Sequence, residues 1–124
     1  MSKYSDQDYK NLEAWQKAME LVGTLHQMTG YFPKMEISNI ISQMRHYAIS
    51  IPSNIAEGKK CSEKKDYYTF LMAAYHSGAE LEAQVALAKK SAFGRELSFI
   101  KIEKLLNEVM RLLNDMIAEA NENK

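Results

Sequence analysis

Apolar side chains recur along this chain at steps of three and four residues, in four runs separated by short polar breaks. Leu12, Trp15, Met19, Val22, Leu25 and Met28 form the first run, which places them on one face of a helix. Asn11 or Asp8 is its candidate N-cap, and Gly30 and Pro33 end it. The second stripe is Ile37, Ile40, Ile41, Met44, Ala48, Ile51 and Ile55, with Glu36 suited to the positive N-terminal end. Gly58 reads as the residue just past its last turn, where a left-handed conformation carries no Cβ penalty. Pro52 falls inside this pattern. It removes one backbone hydrogen bond and costs about 3 kcal/mol in a helix interior. The residues 53–57 beyond it are too few to be a helix alone, so one helix kinked at Pro52 is predicted.

The third stripe is Tyr67, Phe70, Leu71, Ala74, Gly78, Leu81, Val85 and Ala88, with Ser62 as candidate N-cap and Gly94 closing the following turn. Ala73, Ala74, Gly78 and Ala79 are small enough for a neighbouring helix to approach closely. Phe99, Ile102, Leu106, Val109, Leu113 and Met116 form the fourth stripe, which Ile100, Leu105, Leu112 and Ile117 widen. That is more apolar surface than one groove needs. The surplus in Phe99, Ile100, Leu112 and Ile117 predicts contact with another subunit or a partner. Helices are expected over residues 11–31, 36–57, 63–91 and 96–120. Short connections make sequence neighbours antiparallel. The predicted fold is all-α: an antiparallel up-down-up-down four-helix bundle, one domain over residues 1–124.

Charge narrows the possible partners. Lys plus Arg is 16 and Asp plus Glu is 16, so the net charge is zero. A nucleic-acid binder usually carries a basic surplus, so RNA binding here requires a local patch. The lone Cys61 excludes an intramolecular disulfide and suits a reducing compartment. The N-terminal run lacks an apolar core of signal-peptide length, and no segment approaches the ~18 apolar residues of a membrane span. A cytoplasmic location without a membrane partner is expected.

No catalytic constellation stands out. Gly23, Gln43 and Ala73 lie three residues before His26, His46 and His76, so the Glu-x-x-His motif of di-iron bundles is missing. Cys61 has no CxxC partner, and no glycine-rich phosphate loop follows a strand. A non-enzymatic protein without metal or cofactor is expected. Two basic clusters remain. Lys59, Lys60, Lys64 and Lys65 surround the second loop, and Lys89, Lys90 and Arg95 surround the third. Cations at helix C-termini also act as solvated caps; repeated around a symmetric oligomer, either cluster becomes a basic ring. Arg45, Asn54 and Glu57 interrupt the second apolar stripe. A hairpin of the second and third helices about residues 58–62 sets position i opposite 122 − i, so Arg45 faces the turn of Ser77 and Glu80. A charge near a core is rarely unpaired, so an Arg45–Glu80 ion pair is predicted, with Asn54 and Glu57 completing a structural polar network.

The runs LEAWQKAMEL, FPKME, SQMRHYAISIPSNIAEG and YYTFLMAAYHSGAELEAQ cover much of residues 11–118. On them the chain resembles the bacterial four-helix-bundle proteins of the 23S rRNA intervening-sequence family, which are related to the accessory variability proteins of diversity-generating retroelements. The resemblance implies the bundle fold and a homo-oligomeric ring, a homopentamer. It also implies, from the retroelement relatives, a basic oligomer engaging nucleic acid and a reverse transcriptase. The zero net charge departs from that pattern, so RNA affinity is expected to be weak and salt-sensitive. The expected function is a homo-oligomeric binding or scaffold protein associated with RNA through the basic loop clusters. The alternative is a protein-partner adaptor that uses an apolar helix-four surface.

Overall fold

The computed structural model describes residues 8–30, 38–91 and 98–122. A short 3-10 turn, Asp8–Asn11, leads into α1 (Glu13–Thr29); α2 (Ser38–Lys60), α3 (Lys64–Lys90) and α4 (Ile100–Glu122) follow. Each helix packs on its sequence neighbours and α4 packs back on α1, which makes a four-helix bundle. The largest fully buried side chains come from all four helices: Leu21 and Leu25, Met44, Ile51 and Ile55, Leu71 and Leu81, Ile102, Val109 and Leu113. Each contributes about 1.5–3 kcal/mol by leaving water.

Three of the four predicted stripes face inward as read. On α1 the stripe is rotated. Ala14, Ala18, Leu21, Leu25 and Thr29 are the buried positions, whereas Met19 is 39% exposed and Trp15 and Val22 flank the core. The two apolar rows are adjacent, and the row with two alanines lets the backbone sit closer to its neighbours, so the bulkier row ends at the edge. The helix-four surplus is also placed differently from expectation. Phe99 is buried, Leu112 and Ile117 pack partly against the core, and of the four only Ile100, at 74%, is exposed. The core itself takes up most of that apolar surface.

Helix ends differ from expectation as well. Leu12, not Asn11 or Asp8, is the N-cap of α1, and Glu63, not Ser62, that of α3; neither makes a side-chain capping bond. Asp8 and Asn11 belong to the 3-10 turn. Gly30 does end α1, its N–H reaching the Gln27 carbonyl at 3.2 Å. The roles assigned to Pro33, Glu36, Ile37, Gly94 and Arg95, and the expected start of α4 at Glu96, lie outside the described residues. Pro52 is buried within α2, which runs through it as one helix.

Gly58 is not a cap. It is buried inside α2 without a positive φ. A Cβ there would lie 3.0 Å from the Phe70 Cβ and 3.2 Å from the Tyr67 Cδ1, so the missing side chain lets α3 approach. α2 therefore continues to Lys60, and the hairpin register moves. Gln84 donates to Gln43 at 2.8 Å and Ser50 meets Ser77 at 2.8 Å, both placing i opposite 127 − i rather than 122 − i. Helix ends at Lys60 and Lys64 alone set i opposite 124 − i. Side chains lean about one residue towards the N-terminus of each helix, which adds about two more between antiparallel partners.

Glycine substitutions separate these environments in urea melts. Gly23→Ala is expected to stabilise by about 0.5–1 kcal/mol, because a Cβ at Gly23 meets nothing within 4 Å and alanine restricts the unfolded chain. Gly58→Ala is expected to destabilise by about 1–2 kcal/mol, since overpacking against a Cβ that cannot swing away outweighs the same gain.

Candidate nucleic-acid interface

The turn between α2 and α3 is tight. The Cys61 N–H bonds the Gly58 carbonyl at 3.0 Å and the Tyr67 N–H bonds the Glu63 carbonyl at 3.1 Å. That brings Lys59, Lys60, Lys64 and Lys65 to one end of the bundle. Lys59 and Lys64 line a surface cavity of about 350 Å³ with Leu12, Tyr67, Met116 and Glu119. Lys60 pairs with Glu57 at 3.8 Å and sits 5.5 Å over the Tyr9 ring, which packs edge-on against Trp15 at 5.2 Å. Lys65 is exposed and has no ion pair among the described residues. Glu57, Glu63 and Asp66 stand on the same turn.

Cys61 samples the field of this cluster. Its thiol is pushed above the ordinary value of 9.0, first by partial burial and then by Asp66 and Glu57. Burial, then Glu119, also pushes the Tyr67 phenol up.

The third-loop cluster is separate. Lys89 is held by Glu103 at 3.0 Å, Lys90 is exposed, and Arg95 lies outside the described residues. Lys64 and Lys90 open and close α3, roughly 39 Å apart at 1.5 Å per residue. The described residues therefore carry two small basic patches at opposite ends of α3. No group of three or more His, Cys, Asp or Glu side chains among the described residues could hold a metal ion, and no helix among them is long and apolar enough to cross a membrane.

The predicted polar network resolves into separate contacts. Arg45 turns to α1, not to Glu80: its Nε donates to Thr29 Oγ1 at 3.0 Å and its Nη2 to the His26 carbonyl at 3.2 Å. The Thr29 hydroxyl, buried, donates onward to the Leu25 carbonyl at 2.8 Å. The register shift moves Glu80 off Arg45, and the C-terminal carbonyls of α1 offer negative partial charge nearby. Asn54 donates to the Ser50 carbonyl and Oγ at 2.8 and 3.0 Å, and Ser50 meets Ser77. Glu57 stays at the turn with Lys60. Thr29 is the member that reading the sequence missed. Its one signal is its place four residues after Leu25 on the buried row.

A family model described as 23S rRNA-intervening sequence protein matches residues 10–115. No curated protein is significantly similar to the chain.

Two measurements test these placements. At dilutions where the chain is monomeric, Arg45→Met is expected to lower stability by about 1.5–3 kcal/mol, the range for hydrogen bonds from a charged donor, while Glu80→Gln leaves it unchanged; equal losses from both would restore the ion pair within one chain. Alkylation of Cys61 by iodoacetamide at about pH 8 is expected to be slower than that of an unstructured cysteine peptide, and faster in Asp66→Asn, because removing the carboxylate lets more thiolate form. Faster alkylation in the unaltered protein would mean that the lysines control the local field.

Proposed function

The chain belongs to the 23S rRNA-intervening sequence protein family, and from that membership we propose that it is a non-enzymatic scaffold that assembles with copies of itself and holds RNA weakly at the α2–α3 turn. The gathering of Lys59, Lys60, Lys64 and Lys65 on that turn carries the reading. Lys65 has no carboxylate partner among the described residues, and the Lys60–Glu57 pair is exposed and long enough for a phosphate to compete. A cyclic oligomer, the homopentamer that the family resemblance implies, repeats this patch around its axis and turns four cations into a ring. The family's name refers to the 23S rRNA, so a fragmented rRNA pool is the natural first probe. A reducing, cytoplasmic setting suits the free Cys61 thiol.

The adaptor reading, with a partner on an apolar helix-four surface, has less support. Ile100 sits among Glu103, Lys104, Asn107, Glu108 and Arg111, and the other three residues assigned to that surface are buried or half-buried.

Fluorescence anisotropy with fragmented rRNA tests the RNA reading. Binding is expected at about 50 mM salt, falling on the order of 50-fold by about 200 mM if four phosphates per site each release ~0.7 counterions. Changing Lys59, Lys60, Lys64 and Lys65 together to Gln should abolish most of it, and changing Lys89 and Lys90 should not. Unchanged affinity in the fourfold variant, or an assembled protein that binds no RNA, would reject this reading.

A further inference from the structure

We propose that copies of this chain join head to tail, the outer face of α3 on one copy seated in the groove between α1 and α2 on the next; this rests on the self-assembly half of the function proposed above. The groove holds about 390 Å³ between Val22 and His26 of α1 and Arg45, His46 and Ile49 of α2. Two of the four exposed large apolar side chains among the described residues belong to these helices: Ile49, at 44%, lines the groove, and Met19, at 39%, stands one turn before the lining residue Val22. Met19 is there because α1 buries its alanine row instead. Arg45 is the groove's fixed cation. The groups it bonds, a hydroxyl and a carbonyl, are neutral, and no carboxylate among the described residues lines the groove. An occupant that fits must bring an apolar side chain for Ile49 and Met19 and a carboxylate for Arg45.

The chain carries that combination on another surface. Glu80 is exposed on α3 and makes no ion pair or hydrogen bond among the described residues. Leu87, two turns further along the same face, is 54% exposed. Ala83 lies between them and is exposed, so nothing bulky holds off an opposing surface. The inner face of α3 is already used by Leu71, Ala74, Leu81, Val85 and Ala88. Spacing matches as well. Glu80 to Leu87 spans seven residues, and so does Met19 to His26, where Arg45 is anchored; each is about 10.5 Å at 1.5 Å per residue. With Glu80 on Arg45, Leu87 reaches the stretch between Ile49 and Met19. The two surfaces are unlike, so the contact is heterologous, and repeating it closes a ring or extends a filament according to its rotation.

Sedimentation velocity at tens of micromolar protein tests the pairing with Ile49→Asp and Leu87→Asp, two outward-facing positions, with circular dichroism confirming that each variant is helical. The unaltered chain should sediment as an assembly and each variant alone as a monomer. An equimolar mixture of the two variants should form a heterodimer and nothing larger, because Ile49→Asp keeps its α3 face and Leu87→Asp keeps its groove. Glu80→Arg should weaken assembly at least ten-fold, while Glu80→Asp, which keeps the carboxylate, should retain most of it. Assembly that survives both Asp substitutions would mean that copies meet elsewhere, overturning this pairing and leaving self-assembly intact. A folded mixture that stays monomeric would overturn it too. An unaltered chain that is itself monomeric would end both proposals and leave the groove to a different protein.

Discussion

The close approach of α2 to α3 at Gly58 is the constraint on which the alignment of the bundle depends. A Cβ at Gly58 would lie 3.0 Å from the Phe70 Cβ; with none there, α2 stays helical to Lys60 and the chain must turn within Cys61–Glu63. Polar pairs then hold the two helices in one alignment along their length, Ser50 with Ser77 and Gln43 with Gln84. The part-buried Ser50–Ser77 pair is worth only about 0.5–1.5 kcal/mol net, but leaving one member unpaired costs more; the exposed Gln43–Gln84 pair adds less. Alternative registers are penalised more than the native one is rewarded. The lysine cluster exists because this turn is tight, and the same turn brings the carboxylates that moderate it.

α1 is tied into this frame by a different device. Arg45 reaches across to the Thr29 hydroxyl and the His26 carbonyl, where α1 runs out of intrahelical donors and its carbonyls carry partial negative charge. The guanidinium serves as a C-terminal cap supplied by another helix. It does so at the rim of an apolar groove, which makes a structural residue available as a surface charge. One side chain thus couples the alignment of α1 to the character of the surface beside it.

Fold alone does not specify activity. The features that distinguish the chain are surfaces: a modest cationic turn at one end, an apolar cationic groove on one side, and an apolar acidic helix face elsewhere. Each is weak in a single copy. Repetition by symmetry is the way such patches gain avidity without new contacts.

Periodicity determined the four helices, their order and the inward faces of α2, α3 and α4, because the spacing of Met44, Ala48, Ile51 and Ile55, or of Leu71, Ala74, Gly78 and Leu81, is a property of the helix itself and needs no neighbour to be read. The lysines of the second loop were legible for the same local reason, being close together in the chain. Tertiary structure decided the rest. On α1 two apolar rows lie side by side, and only the fit of Ala14 and Ala18 against neighbouring helices chooses between them. Gly58 reads as a cap until the distance to Phe70 is known. Arg45 had a carboxylate within plausible reach on paper, and a five-residue change of register gave it a hydroxyl and a carbonyl of α1 instead. In each case local geometry allows two outcomes of similar energy, and the identity of the atom that arrives from a distant part of the chain selects one.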